Sequence, residues 1–179
     1  MRKTLFIIVL FICGSFTEAQ KIKNSSYVTS TGEKVLRLEM IVPVDKIKAW
    51  ELFTIDSQLK KWIAPLAHIE LKTGGYILTN YDSSKSLSDP SSIKLIIINY
   101  LERDLLTLKV KLNDNFPADT RNEDGNLQEI IQFEDAGNGN TKLISSMVGW
   151  GTGAHWDKVY HFFERGNTWT FEKMDRIFQ

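Results

Sequence analysis

The segment that most constrains the fold begins at Gly149, where three glycines alternate with Trp150 and Thr152. Because glycine adopts positive φ and lets backbones approach closely, this turn can redirect a strand sharply. After Gly153 no proline interrupts the chain up to its last residue. A helix over 154–178 would be about 37 Å long at 1.5 Å per residue, which is longer than a small domain is wide. The rest of the chain must therefore wrap around this helix.

Upstream of the turn, alternating apolar and polar residues predict a sheet. Apolar side chains occupy every second position from Leu36 to Val42, which is the pattern of a strand with one buried face. Helical spacing over 44–53 and a capped segment at 56–62 predict two short helices after this first strand. The seven predicted strands cover residues 33–42, 67–72, 76–81, 93–100, 105–112, 127–134 and 141–148. Because strands and helices are segregated along the chain, we expect an α+β fold with an antiparallel sheet.

Residues 1–19 have the layout of a secretory signal peptide. Arg2 and Lys3 form the charged end, residues 5–12 are an unbroken apolar run, and small residues precede Gln20. Since this run is too short to cross a bilayer, we expect cleavage before Gln20 and no stable membrane span. The protein is therefore predicted to be exported, as a periplasmic or secreted protein.

The single cysteine, Cys13, lies inside this leader. A lipoprotein signal would use it as the anchor, but bulky Ile12 stands where such a signal needs a small residue. Anchoring through Cys13 is therefore not expected. Without the leader the chain has no thiol, which excludes a cysteine nucleophile, a disulfide and a thiolate metal site.

The remainder of the chain is expected to hold one domain, at 33–179, preceded by a flexible polar lead-in at 20–32. Lys and Arg number 22 and Asp and Glu number 22, so the net charge is about zero. A phosphate-binding surface normally has a basic excess, so nucleic-acid binding is not expected.

The three histidines do not suggest a metal site. His155 and His161 lie six residues apart, on different faces of the predicted helix, and His68 is distant in sequence. Motifs of a catalytic serine elbow, a phosphate loop or a dinucleotide site are absent from the sequence. We therefore expect no metal, no cofactor and no assigned catalytic residue.

Several short segments together resemble one superfamily. They are residues 43–54, Leu59-Lys60-Lys61-Trp62 with Pro65, Gly74-Gly75-Tyr76, Thr141-Lys142-Leu143, Gly149-Trp150-Gly151 and Trp156. This pattern resembles the START-like (SRPBCC) superfamily with its birch-pollen-allergen-type helix-grip fold. Within it, the pattern is similar to the branch of the heat-shock-protein-90 ATPase activators (Aha-type). The resemblance covers residues 33–179.

The resemblance implies a seven-stranded antiparallel sheet wrapped around the C-terminal helix, with a cavity between them and the polar loop 113–126 beside its entrance. The candidate cavity residues are Trp50, Phe53, Trp62, Tyr76, Trp150, His155, Trp156, Phe163, Gly166 and Thr170. Each can instead pack an ordinary core. Gly166 stands mid-helix, where glycine costs about 1 kcal/mol relative to alanine, so it needs a reason of space or packing. Either it leaves room over the sheet, or it lets a large side chain such as Tyr76 close against the helix.

A fold of this kind hosts many functions, so the function must come from the site. The first hypothesis is a domain that binds a small hydrophobic molecule in the cavity. The second is a co-chaperone-like interaction module of the cell envelope, with a protein partner. The third is a cavity enzyme such as a cyclase or hydrolase, for which His155, Tyr76 and Tyr81 are the polar candidates. We favour the first.

Overall fold

The computed structural model describes residues 22–179. The predicted signal peptide, its cleavage site and Cys13 lie outside the described residues. The strands are β1 (Ile22–Asn24), β2 (Tyr27–Val28), β3 (Lys34–Val42), β4 (Leu66–Glu70), β5 (Tyr76–Asn80), β6 (Ile93–Leu101), β7 (Leu105–Lys109), β8 (Gln128–Gly137) and β9 (Asn140–Val148). The helices are α1 (Lys46–Thr54), α2 (Asp56–Trp62), α3 (Ala118–Glu123) and α4 (Ala154–Arg176), with a 3₁₀ turn at Asp124–Asn126. The predicted α+β class and the long terminal helix are confirmed.

One antiparallel sheet has the order β1-β3-β9-β8-β7-β6-β5-β4, and β2 pairs with the same edge of β3 as β1 does. Neighbours in sequence are joined by hairpins from β4 to β9, so each strand from β5 to β8 lies between its sequence neighbours. Side chains at alternate positions of every strand point to the same face. The inner face carries the apolar core, and α4 lies across it.

The predicted strand count of seven is wrong, because the structure has nine strands in the part of the chain that it describes. The two extra strands come from the predicted flexible lead-in. Ile22 pairs with Met40 and is buried, and Tyr27 pairs with Val35. The outer edge of β3 offers unpaired backbone donors and acceptors, and a polar segment satisfies them without needing an apolar face.

The predicted loop at 113–126 is also more ordered than expected, since it contains α3 and the 3₁₀ turn. Asp124 is buried and accepts a hydrogen bond from the backbone N–H of Leu112 at 2.8 Å. The indole Nε1 of Trp156 donates to a carboxylate oxygen of Glu123 at 2.8 Å. These bonds fasten the segment both to the chain that follows β7 and to the start of α4.

The glycine turn between β9 and α4 is required by sterics. A Cβ on Gly149 would overlap the backbone carbonyl of Asn126, and φ at this position is +80°. A Cβ on Gly151 would overlap the indole of Trp156. The turn therefore brings the chain so close to its neighbours that only glycine fits, and α4 begins in the direction that crosses the sheet.

An aromatic cluster closes one end of the core. Phe53 lies 5.2 Å from Phe133 and 4.8 Å from Trp62, ring centroid to centroid, in edge-to-face geometry. Trp50 contacts Phe133 at 5.3 Å. Asp45 caps α1 by accepting from the backbone N–H of Lys48 at 2.9 Å, which fixes where this helix begins. The helices α1 and α2 thus cover the inner face of the sheet at this end. The middle of α4 crosses the rest of that face.

Among residues 22–179, no helix combines the length and the apolarity that a bilayer crossing would need.

Candidate ligand cavity

A cavity of about 1050 Å³ lies between α4 and the inner face of the sheet. Its sheet wall comes from β5 to β8, through alternate inward-facing residues such as Ile77, Leu95 and Leu108. Its opposite wall is α4, and α2 contributes Leu59. Most of the lining is aliphatic or aromatic, which is the composition of sites for small organic molecules.

Gly166 faces open space in this cavity. A Cβ built on it has nothing within 4 Å, while the hydroxyl of Thr170 is used inside the helix, donating to the Gly166 carbonyl at 2.8 Å. Tyr76 does not close against the helix. Its ring packs beside His68, and the ammonium of Lys94 lies 4.2 Å from the ring centroid. Of the two alternatives for Gly166, the structure therefore agrees with the first: the glycine leaves room over the sheet and is not covered by Tyr76.

The structure brings six of the ten predicted site residues to the cavity. These are Phe53, Trp62, His155, Phe163, Gly166 and Thr170. Trp50 and Tyr76 lie outside the lining. Trp50 faces the aromatic cluster of α1 and the sheet, at 6.2 Å from the ring of Tyr100.

Trp150 and Trp156 also lie outside the lining, because their side chains pack against the turn that precedes α4. Trp150 donates from Nε1 to the Met147 carbonyl at 3.1 Å, and its ring lies 5.1 Å from that of Tyr160. The two tryptophans meet edge to face at 6.5 Å. The two tryptophans pack at the turn and not on the cavity because of the direction that the chain takes through the glycine segment. The spacing of apolar residues in the sequence does not predict this direction.

The part of the cavity that meets solvent is aromatic and basic. Tyr81, Phe162 and Trp169 line the cavity, and each is about half exposed. Lys158 and Arg165 line it on the same helix and are exposed. We call these five exposed residues the mouth of the cavity. It combines two positive charges with three aromatic rings.

One carboxyl group, that of Glu129, lines the cavity wall. Glu129 lies on β8 between the inward-facing Leu127 and Ile131, so its accessible surface opens into the cavity. The Ser145 hydroxyl donates to its Oε1 at 2.7 Å. Burial raises the pKa of Glu129, and the Ser145 hydrogen bond opposes this only in part. Desolvation at the phenol hydroxyl, and then the Glu129 charge, raise the pKa of Tyr81.

The sequence reasoning missed Glu129, although a signal was present. Leu127, Glu129, Ile131 and Phe133 alternate along one strand, and three of the four are apolar. A carboxylate in the apolar register of a strand is placed on the buried face by period two alone. It is the kind of group whose burial calls for a partner or a function.

No group of three or more His, Cys, Asp or Glu side chains within the described part of the chain is arranged to hold a metal ion.

No protein-family model matches the chain, and no curated protein matches its sequence. Several solved structures are similar. Protein MLL2253 from Mesorhizobium loti is 14% identical with a TM-score of 0.62, over 79% of this chain and 94% of that one. The Aha1 dimer from Colwellia psychrerythraea is 13% identical with a TM-score of 0.58, over 77% and 91%. The conserved protein EF2215 from Enterococcus faecalis is 14% identical with a TM-score of 0.51, over 70% of this chain, which spans 61% of its length.

At these identities the likeness concerns the fold alone. The antiparallel sheet, the two short helices after β3 and the long C-terminal helix are consistent with a START-like helix-grip fold. Fold does not determine function in such a class, so the cavity has to carry the functional argument.

Proposed function

We propose that the chain is an exported START-like domain that binds one small, largely apolar molecule in the cavity between the sheet and α4. The observation that carries this proposal is the open volume of about 1050 Å³ beneath a mid-helix glycine. Apolar burial would drive binding, at about 25 cal/mol per Å² removed from water. Lining atoms that face an empty apolar space lose dispersion contacts, so a ligand that fills it also stabilises the fold.

Fluorescence titration tests the proposal directly. N-phenyl-1-naphthylamine, a neutral dye, is added to the protein, and a panel of lipids, sterols and aromatic polyketides is then used to displace it. We expect saturable binding and displacement by at least one compound class. The variant Gly166→Leu should bind the dye at least tenfold more weakly because its side chain occupies the open space. Failure of the wild type to bind the dye and every panel compound would refute the proposal.

A ligand retained during purification offers an independent approach. Mass spectrometry of the protein released from its native source under non-denaturing conditions would identify a bound molecule. An apolar compound present in stoichiometric amount in wild type and depleted in Gly166→Leu supports the cavity as its site. Equal amounts in the two proteins would place the compound elsewhere.

Export is the second part of the proposal, and it depends on the leader at 1–19. N-terminal sequencing of the protein from its native source tests it. We expect a chain that begins at Gln20. A chain that still begins at Met1 would exclude cleavage of the leader, and one that begins with a lipid-modified Cys13 would indicate membrane anchoring instead.

A co-chaperone-like interaction module, the Aha-type alternative, is favoured by one observation. Phe162 and Trp169 expose 52% and 49% of their surface on one side of α4, which is large for aromatic residues of a helix that crosses a core. Crosslinking in the native compartment, with Phe162→Ser plus Trp169→Ser as the comparison, tests it. A discrete crosslinked partner that the double variant loses would support this alternative, and identical crosslinking patterns would argue against it.

A further inference from the structure

The cavity contains one acidic side chain among its lining residues, that of Glu129. Its partner Ser145 lies diagonally across β8 and β9, two residues from Met147, which pairs directly with Glu129. The Ser145 hydroxyl occupies Oε1. Among the described residues, no protein group forms a hydrogen bond with Oε2. Oε1 of the carboxyl is thus held by the hydrogen bond from Ser145, and Oε2 is available to a molecule in the cavity.

The surroundings of Glu129 favour its neutral form. Aliphatic neighbours, Leu108 and Ile131 among them, line the same wall, and desolvation raises the pKa of the carboxyl. The titratable and charged groups that share the cavity are Tyr81, Lys111, His155, Lys158 and Arg165. Burial is the largest cause of the shift in the pKa of Glu129, and the Ser145 hydrogen bond opposes it without reversing its direction. A protonated carboxyl with Oε1 accepting from Ser145 presents an O–H donor at Oε2.

The positively charged residues of the mouth should also select between ligands according to their charge. Lys158 and Arg165 are exposed residues of the cavity lining, and Lys111 lines the cavity as well. A cationic ligand would be repelled there before it could reach Glu129, so an ammonium group is disfavoured. A neutral oxygen meets no such barrier.

Resting on the proposed function, we propose that Glu129 is a specificity-determining residue that selects ligands with an uncharged hydroxyl or carbonyl oxygen on an otherwise apolar body. The ligand oxygen accepts a hydrogen bond from Oε2 of Glu129, while Ser145 holds the carboxyl through Oε1. A ligand of the same shape without the oxygen leaves a buried polar group unpaired, which lowers its affinity.

Three probes of nearly equal shape test this assignment. They are 1-pyrenemethanol, 1-ethylpyrene and 1-pyrenemethylamine, which place a hydroxyl, a methyl and an ammonium group at the same position. Affinities for wild type, Glu129→Leu and Glu129→Gln are measured by fluorescence at pH 6.5. The ratio of alcohol to hydrocarbon affinity is compared between proteins, because the apolar contribution of the pyrene ring cancels in it.

We expect the alcohol-to-hydrocarbon ratio to fall by up to about tenfold in Glu129→Leu, which is the size of one buried hydrogen bond. Glu129→Gln keeps a neutral donor beside Ser145 and should retain most of the ratio. An unchanged ratio in Glu129→Leu overturns the assignment. So does an amine that binds wild type more tightly than the alcohol and loses this advantage in Glu129→Gln, because that result requires an ionised carboxylate.

The failures of the two proposals are distinguishable. If 1-ethylpyrene binds wild type and Gly166→Leu abolishes its binding, the cavity binds apolar molecules whatever Glu129 does. An unchanged ratio in Glu129→Leu then removes only the role of Glu129. If none of the three probes binds any of the proteins, both the cavity proposal and the specificity proposal are contradicted.

Discussion

The Ser145 hydroxyl reaches across from β9 to donate a 2.7 Å hydrogen bond to the Glu129 carboxyl on β8, on the inner face of the sheet. This bond is the polar contact that the sheet provides to its buried carboxyl. It does not offset the burial, since the pKa of Glu129 remains raised. A group of this kind makes the stability of the fold depend on pH, and the direction of that dependence can be worked out.

The variant Glu129→Gln should be more stable than wild type at neutral pH. The folded-state pKa is raised above the ordinary value of 4.5, so ionisation is easier in the unfolded chain. Wild-type stability is therefore unaffected below that value and falls as pH rises through the raised pKa, whereas glutamine does not ionise. We expect a gain on the order of 1 kcal/mol at pH 7.5, vanishing below about pH 4. Urea denaturation at both pH values measures it, and a variant that is less stable at pH 7.5 would contradict the prediction.

Glu39 should show the opposite pH dependence. It lies on the outer face of β3, bonds with the Lys142 ammonium at 2.8 Å and accepts from the Ser25 hydroxyl. These hydrogen bonds lower the pKa of Glu39 to about 2, with Lys142 the largest cause. The side chain is 11% exposed, and its partial burial opposes the shift without reversing it, because the two hydrogen bonds have the larger effects.

Stability contributed by Glu39 is present above pH 4.5 and is lost as pH falls towards 2. We expect Glu39→Gln to lose about 1–2 kcal/mol at pH 7 and to approach wild type near pH 2. Lys142→Met is the matched variant, and a double-mutant cycle isolates the pair. Equal losses for Glu39→Gln at pH 7 and at pH 2.5 would show that the effect is not the ion pair.

The sequence predicted α4 and the turn before it well, because both have strong local causes. Three alternating glycines permit the turn, and an uninterrupted amphipathic pattern predicts the helix to within two residues of its end at Arg176. It missed β1 and β2, because an edge strand such as Ile22–Asn24 is held by backbone pairing that leaves little trace in side-chain pattern.

The candidate site was predicted in part for a similar reason. Helical spacing places Trp156, Phe163, Gly166 and Thr170 on one stripe of α4, and the last three line the cavity. Trp156 stands on the same stripe but packs against Gly151 in the turn, and the size of Trp50 does not say whether its aromatic ring fills a cluster or borders a cavity. That distinction depends on how α1 and the glycine turn are oriented on the sheet, which is a tertiary property.

Replacing Gly166 tests whether the open space is real. Gly166→Ala should stabilise the protein by about 0.5–1 kcal/mol, because alanine is the better helix former and its Cβ meets nothing within 4 Å. Gly166→Leu should raise the melting temperature further by filling apolar space. If the helix instead packed against the sheet, Gly166→Leu would be destabilised by about 1–3 kcal/mol through overpacking. Calorimetry of the two variants without ligand separates these outcomes.

The glycine turn should respond in the opposite sense. Gly151→Ala places a Cβ inside the Trp156 indole, which must then move and give up its hydrogen bond to Glu123. Gly149→Ala adds a clash with the Asn126 carbonyl to a φ of +80°. We expect losses of about 2–4 kcal/mol for each, since a backbone carbonyl and a buried indole have little room to yield.

Gly125→Ala is the control for these two variants, because its Cβ would meet nothing within 4 Å and its φ is not positive. Denaturant titration should place it within about 0.5 kcal/mol of wild type. In Gly151→Ala the displaced Trp156 should also show a shifted fluorescence maximum, since its indole loses a carboxylate partner. Stability of Gly149→Ala and Gly151→Ala equal to that of Gly125→Ala would mean that the turn does not fix the direction of α4 by close contact, and the placement of the cavity wall would then need another cause.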